Sequence, residues 1–203
     1  MKRIILMALL ALALPLSAFA GSSVDFTNSG GTLSGSSAGL SLSGSELIVV
    51  NGLGGGGQIL GQLGSVSFST GTLASGSLQM GGTFNGGGSF DITGNGSLGV
   101  PSGTIFSGSF SGPVTWTLVT LANGTHNYTI TGSITGTWYS GGTVDGATVQ
   151  LTINTGKGFF NGSTSISSGD TNISTTVPEP GTLGLLGTGL VGLAGVLRRK
   201  LKA

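Results

Sequence analysis

The chain contains no cysteine. Disulfide bonds, thiolate zinc sites and a cysteine nucleophile are therefore all excluded. The body between the two chain ends, of roughly 155 residues, is still long enough to bury a core without cross-links, because only chains below about 40 residues usually need them.

Charge is also scarce. Charged residues make up 6% of the chain, far below the usual share of about a quarter. Between residues 21 and 176, Lys157 is the only Lys or Arg. The acidic residues of the same segment are Asp25, Glu46, Asp91, Asp145 and Asp170. Nucleic-acid binding requires clustered Lys and Arg to replace phosphate counterions, so this class of partner is excluded.

Helical periodicity is the third absence. Between the chain ends, apolar residues alternate with Thr and Ser, most clearly over residues 114–118, 128–138 and 149–153. A period of two in β-branched and aromatic residues is typical of strands with one buried face. The body is therefore predicted to be all-β.

Glycine fills 42 positions, roughly three times its usual share. Asn123-Gly124 predicts a hairpin between strands that end near Leu121 and begin near Thr125. Further turn signals are Ser111-Gly112-Pro113, Asp145-Gly146 and Asn161-Gly162. Residues 103–155 are therefore predicted to form a meander of strands.

These patterns favour an antiparallel β-sandwich or barrel-like body over residues 21–162. Gly-Ser/Thr-apolar triplets recur between Gly71 and Phe110, and they leave a parallel β-solenoid as the alternative. Residues 163–176 are predicted to be a Ser/Thr-rich spacer.

The first 20 residues have the three parts of a secretory signal peptide. Lys2 and Arg3 precede an apolar run at 4–14, and Ala18 and Ala20 stand two positions apart before the expected cut. The run is short for a membrane span, which needs about 20 residues. We expect a signal-peptide helix that engages the Sec machinery and is removed by signal peptidase after Ala20.

Residues 177–203 have a different pattern. Pro178-Glu179-Pro180 predicts an extended hinge, because proline ends helices and central strands. The uncharged run at 182–197 predicts one transmembrane helix of about 24 Å, slightly shorter than a hydrocarbon core of about 30 Å. The basic residues expected to stop transfer on the cytoplasmic side are Arg198, Arg199 and Lys200.

This order of Pro-Glu-Pro, apolar glycine-rich helix and basic terminus resembles the PEP-CTERM sorting domain. A tail of this kind is also labelled an ice-binding protein C-terminal domain, a label that implies no activity. The resemblance implies processing by an exosortase, a membrane transpeptidase-like enzyme of diderm bacteria that make exopolysaccharide. It also implies that Pro178, Glu179 and Pro180 form the recognition motif.

Nothing in the body predicts a catalytic, cofactor-binding or metal-binding set. His126 is the only histidine, and its place beside Asn123-Gly124 predicts an exposed turn residue. The acids show neither glycosidase pairing nor a calcium-loop spacing. Trp116 and Trp138 fall on apolar strand faces and are expected in the core, whereas Tyr139 is the candidate for stacking on a sugar.

We therefore expect a non-enzymatic structural or interaction protein. It would be anchored in the inner membrane as a precursor, then reach the cell surface or extracellular matrix, with exopolysaccharide as a partner. A carbohydrate-binding module is the main alternative, an ice-binding threonine surface a further one, and a secreted hydrolase the third.

Overall fold

The computed structural model describes residues 22–175. The predicted signal-peptide helix, sorting motif and transmembrane helix lie outside the described residues. Residues 22–175 contain no helix with the length and apolar character needed to cross a membrane. The strands of this segment are β1 (Ser22–Ser29), β2 (Thr32–Ser36), β3 (Gly39–Asn51), β4 (Gln58–Ser69), β5 (Leu73–Ser77), β6 (Gly81–Phe84), β7 (Gly87–Asn95), β8 (Ser102–Phe110), β9 (Val114–Thr120), β10 (His126–Trp138), β11 (Thr143–Asn154), β12 (Ser163–Ser165) and β13 (Ser168–Thr175).

Eight of these strands form a closed barrel in the order β1, β3, β4, β7, β8, β10, β11, β13, with β13 beside β1. The ring closes because β11 pairs with β10 along one edge and with β13 along the other. Every strand pair whose residue register the structure defines is antiparallel. The antiparallel barrel-like prediction is therefore confirmed, and the parallel β-solenoid is wrong.

The apolar side chains of the predicted alternating pattern fill the inside of the barrel. Tyr128, Ile130 and Ile134 are buried along one face of β10, while Thr131 and Ser133 are exposed on the other. Phenylalanines of three neighbouring strands pack edge-to-face or stacked inside the barrel, with ring centroids 5.7–6.3 Å apart. These phenylalanines are Phe68, Phe90, Phe106 and Phe110. Each buried side chain of this size contributes about 1.5–3 kcal/mol through the hydrophobic effect.

The two ends of the barrel differ. Alternating strand directions bring the chain termini at Ser22 and Thr175 to one end, together with the short loops at 52–57, 96–101 and 139–142. We call this the terminal end. The longer connections at the other end contain the five remaining strands, β2, β5, β6, β9 and β12. We call these connections, with their strands, the cap.

Aromatic side chains hold the cap on the barrel. Trp116 of β9 stacks on Tyr128 of β10 with centroids 4.6 Å apart, and Phe160 packs edge-on against Trp116. The Trp116 indole N–H donates to the Leu78 carbonyl at 2.8 Å, and the Tyr128 hydroxyl donates to the Gln79 carbonyl at 2.6 Å. Both bonds fix the β5–β6 turn, and they satisfy polar groups that burial would otherwise penalise.

Glycines stand where neighbouring strands approach closely. Gly136 of β10 faces Gly108 of β8. A Cβ at Gly136 would lie 2.3 Å from the Ser107 carbonyl oxygen and 2.6 Å from the Gly108 Cα. Such pairs account for part of the glycine content, because a side chain at either position would push the two strands apart.

One sequence-based boundary differs from the structure. Residues 163–165 and 168–175, predicted as part of a spacer, form β12 and β13, so the compact body ends at Thr175 rather than at residue 162. The prediction failed because the outward-facing Ser and Thr of these strands resemble a linker in composition. Inward-facing Ile166 and Ile173 are buried.

The turn signals had mixed outcomes. Asn123-Gly124 connects β9 and β10, with Gly124 at φ 80° and its N–H donating to the Leu121 carbonyl, so this hairpin is confirmed. Asp145-Gly146 lies inside β11, where the register shifts by a bulge, so the turn predicted there is wrong. The simple meander is also wrong, because β8 and β9 lie one after the other along the same edge of β10.

Candidate functional site

A polar groove crosses the outer wall of the barrel over β1, β13, β11, β10 and β9. Because side chains alternate along a strand, the buried positions of these strands face the core and the intervening polar ones face the groove. The groove has a volume of about 480 Å³. Its lining residues are Asp25, Pro113, Thr115, Thr131, Gly132, Ser133, Thr148, Val149, Gln150, Asp170 and Asn172.

The groove lies where β10 changes its neighbour. Thr131 pairs with Thr115 of β9, whereas Ile134 pairs with Phe110 of β8. Between them the Ser133 carbonyl accepts a hydrogen bond from the Ser111 N–H at 2.9 Å. Pro113, which has no backbone N–H to donate, lines the groove at this point.

Two carboxylates share the groove. Burial raises the pKa of Asp25 above its ordinary value, the negative charge of Asp170 raises it further, and a hydrogen bond from the Asn172 side chain opposes both effects. No lysine, arginine or histidine lines the groove. The site therefore suits a ligand without negative charge.

The remaining groups are hydroxyls and amides. Thr115, Thr131, Ser133 and Thr148 each offer a donor and an acceptor, and the amides of Gln150 and Asn172 offer both in fixed geometry. This set matches the hydroxyl groups of a sugar. Among residues 22–175 no group of three or more His, Cys, Asp or Glu side chains is placed to hold a metal ion.

Threonines form short rows on this wall. Thr129 pairs with Thr117 on one side and with Thr152 on the other. In the next row Thr131 pairs with Thr115 but also with Gln150. The rows are therefore short and interrupted, unlike the many aligned rungs that an ice-binding face requires.

The predicted aromatic residues lie elsewhere. Trp116 and Trp138 are buried, as expected. Tyr139 lies in the 139–142 loop at the terminal end, 48% exposed and with its ring 5.3 Å from that of Trp138. It is absent from the groove lining, so its sugar contact stays a prediction and is not part of this site.

His126 differs from the expectation of an exposed turn residue. It begins β10, is only 8% exposed, stacks on Phe159 at 4.3 Å, and its Nδ1 lies 3.0 Å from the Thr120 hydroxyl. The hairpin tip is one residue pair further out, which places His126 on the inward face. Its contacts are those of a packed side chain.

The residues predicted for sorting lie outside the described segment. They are Ala18 and Ala20 at the signal cleavage site, Pro178, Glu179 and Pro180 in the motif, and Arg198, Arg199 and Lys200 in the basic stop.

The groove residues were missed from the sequence. Asp25 and Asp170 stand at opposite ends of the body and become neighbours only because the first and last strands of the barrel meet. The available signal was the run of polar residues at alternate positions of β10, β11 and β13. Any strand face exposed to solvent has the same alternating polar pattern, so the pattern does not indicate a groove.

Comparison with known protein families gives a match in the segment that follows β13. Residues 176–200 match the family described as PEP-CTERM protein-sorting motif. No curated protein and no solved structure matches the chain significantly. The motif indicates an exported protein that is sorted by an exosortase.

Proposed function

We propose that the exported barrel is a non-enzymatic interaction module of the cell surface or exopolysaccharide matrix, and that it binds a neutral glycan in the groove. The sorting motif at 176–200 supports export. The motif follows β13 directly, and we propose that the barrel is the part that acts outside the cell after the tail has been processed.

The observation that carries the glycan proposal is the composition of the groove. Hydroxyl, amide and carboxylate groups of five neighbouring strands converge on one open cavity of about 480 Å³ with no basic side chain. Small polar groups placed on rigid strands provide orientation and specificity for a ligand. The sugar ring would be held by hydrogen bonds, because the groove lining contains no aromatic residue.

Binding can be measured by titrating purified barrel with neutral exopolysaccharide fragments in a calorimeter. We expect Gln150→Ala to weaken binding about 5- to 30-fold, since loss of a good hydrogen-bonding group in a site costs about 1–2 kcal/mol. Gln62→Ala is the matched control, because Gln62 is an exposed glutamine on β4 outside the groove. Equal affinities for the two variants would rule out the groove as the glycan site.

The two acids of the groove allow a direct test of the non-enzymatic assignment. Glycosidases use a pair of carboxylic groups, one of which has a raised pKa. We expect no release of reducing ends when the barrel is incubated with the same polysaccharide. Release that Asp25→Asn and Asp170→Asn each abolish would replace binding by hydrolysis as the function.

Sorting is tested separately by replacing Pro178-Glu179-Pro180 with three alanines and following the mass of the C-terminal fragment in cells. We propose that the exosortase reads this motif and that the unprocessed precursor stays in the inner membrane through residues 182–197. Equal removal of the tail from the altered chain would contradict the role of the motif.

A further inference from the structure

The outward-facing side chains of the groove are arranged in two rows that cross the strands. In the first row Thr131 of β10 pairs with Thr115 of β9 and, on its other side, with Gln150 of β11. Gln150 pairs in turn with Asp170 of β13. All four side chains are exposed. The first row therefore presents one hydrogen-bonding group on each of four neighbouring strands.

The second row lies two residues away from the first along each strand. Ser133 of β10 pairs with Thr148 of β11, and Thr148 pairs with Asn172 of β13. The Asn172 side chain hydrogen-bonds Asp25 of β1, so this row also involves four strands. Two residues of an antiparallel strand cover about 6.8 Å. The distance between the rows is therefore comparable with the width of a single sugar ring.

Backbone forms the floor between the two rows. Val149 pairs with Gly132 on one side and with Thr171 on the other. Val149 and Thr171 are buried, and a Cβ added at Gly132 would lie 2.8 Å from the ring of buried Phe110. The side-chain positions of this middle line thus face the core. A flat ring can lie on the strip between the rows without meeting an outward side chain.

The spacing along each row is regular. Neighbouring strands lie about 4.7–4.9 Å apart, so the four strands of the first row span about 14 Å from first to last. The spacing of the strands is comparable with the advance of one pyranose unit along an extended glycan chain. A chain that crosses the strands would therefore meet a group of the first row about once per sugar, whereas a single sugar would use only part of the row.

We propose that the groove binds an unbranched stretch of about four sugar units, which lies across the strands with about one unit on each strand. This inference rests on the proposed glycan binding and names the form of glycan that the groove takes. The two rows bind hydroxyl groups on opposite edges of the chain. At the β13 and β1 end, Asp170 and Asp25 supply carboxylate oxygens, which accept from sugar hydroxyls and repel an acidic sugar.

Chain length provides a test on the unaltered protein. The full chain, in a detergent without a sugar headgroup, is titrated in a calorimeter with size-fractionated neutral exopolysaccharide fragments of one to eight units. We expect affinity to rise with each added unit up to about four units, the number of strands in the first row. Beyond that length it should stay constant, once the number of possible placements on a longer chain is taken into account. Full affinity for one or two units would overturn the inference.

A pair of threonine variants tests whether the ligand reaches the β9 end of the first row. Thr117→Val is the matched control for Thr115→Val, because Thr117 is exposed on the same strand but lies outside the groove lining. We expect Thr115→Val to weaken binding of the four-unit fragment about 2- to 10-fold, as expected for one hydrogen bond. Thr117→Val should leave the affinity unchanged.

The outcomes separate this inference from the proposed function. Weaker binding by Gln150→Ala, together with equal affinities of the two threonine variants, would show that the groove holds a shorter ligand. That result would overturn the inference and leave glycan binding intact. Absence of binding by every fragment, or equal affinities of Gln150→Ala and Gln62→Ala, would overturn the proposed function and the inference together.

Discussion

A single residue, Leu98, shows how local stability and surface display oppose each other. Leu98 has a φ of 55°. A left-handed non-glycine residue costs about 1–3 kcal/mol. The side chain recovers little of this cost by packing, because two thirds of it is exposed. A Cβ added at Gly61 would lie 3.3 Å from the Leu98 Cδ1, so the leucine side chain lies beside β4.

We therefore expect Leu98→Gly to stabilise the barrel, by about 0.5–1 kcal/mol after the extra entropy of glycine in the unfolded chain is subtracted. Urea unfolding measures the difference. Leu98→Ala is the control, since it keeps the Cβ and hence the strain. An alanine variant as stable as the glycine variant would show that the backbone at residue 98 is not strained.

Asp25 makes stability depend on pH in an unusual direction for an acid. Burial and the charge of Asp170 raise its folded-state pKa above the unfolded value. The folded state then holds a proton that the unfolded state has lost, so this group lowers the free energy of unfolding as pH rises through the interval between the two pKa values.

Asp25→Asn should remove this fall in the free energy of unfolding with rising pH. Relative to the parent chain, the variant is expected to gain melting temperature at pH 7 and to gain none at a pH below both pKa values. Calorimetric melting at a series of pH values measures the difference. Asp170→Asn should reduce the same dependence, because it removes the neighbouring charge. A difference between parent and Asp25→Asn that does not vary with pH would contradict the raised pKa.

At the scale of strands and turns, the Tyr128 hydroxyl joins two segments of the cap to β10. It donates to the Gln79 carbonyl and accepts from the Phe160 N–H at 3.1 Å. Tyr128→Phe leaves both backbone groups without this partner and should cost about 1–3 kcal/mol. Tyr139→Phe, at an exposed tyrosine, should change the free energy of unfolding by less than about 0.5 kcal/mol.

Hydrogen exchange locates the effect. We expect amides of residues 73–84 to exchange faster in Tyr128→Phe, because the β5–β6 hairpin loses its attachment to β10. Unchanged protection there would mean that the Trp116 bond to the Leu78 carbonyl is sufficient to hold the hairpin.

Close strand contact predicts the effect of substitutions at glycine. Gly136→Ala places a Cβ against the Ser107 carbonyl and the Gly108 Cα, both backbone atoms that cannot rotate away. We expect a loss of about 1–3 kcal/mol from overpacking. Gly142→Ala is the control, since no atom lies within 4 Å of its added Cβ. Thermal unfolding of both variants tests the prediction, and equal stability would contradict it.

Strands with strong apolar alternation could be predicted from sequence, whereas strands made of Ser, Thr and Asn could not. β10 and β11 contain Tyr, Ile, Val and Leu at every second position or nearly so, and their identity follows from that pattern. β13 has Ile173 as its main apolar residue, and its composition equals that of a linker. It is a strand because two barrel edges are available to pair with it.

At the scale of the whole molecule, β13 is the closing strand. A chain ending at residue 162, the boundary suggested by composition, would leave the edges of β1 and β11 unpaired. We expect residues 21–175 to unfold cooperatively in urea, and residues 21–162 to show neither a cooperative transition nor a native circular dichroism spectrum. A cooperative shorter chain would show that the barrel tolerates an open seam.

The groove could not be predicted from the sequence, because it depends on the pairing of the first and last strands of the barrel. The two acids of the groove lie in β1 and β13, about 145 positions apart in the chain. Local sequence patterns predict single strands and turns but not which distant strands pair. Asp25 and Asp170 share a site only after the ring has closed. The alternating sequence pattern predicts which face of each strand is polar. Only the pairing of distant strands determines which polar faces lie next to each other.

Pairing between the first and last strands also sets the order of folding. A chain that emerges from its N-terminus exposes β1 long before β13 is available, and until then β1 and β11 present bare edges that invite association with other chains. Contacts between distant segments also fold slowly, since loop-closure entropy must be overcome first. The last step of folding therefore waits for β13, so the barrel cannot close before the chain up to residue 175 is available.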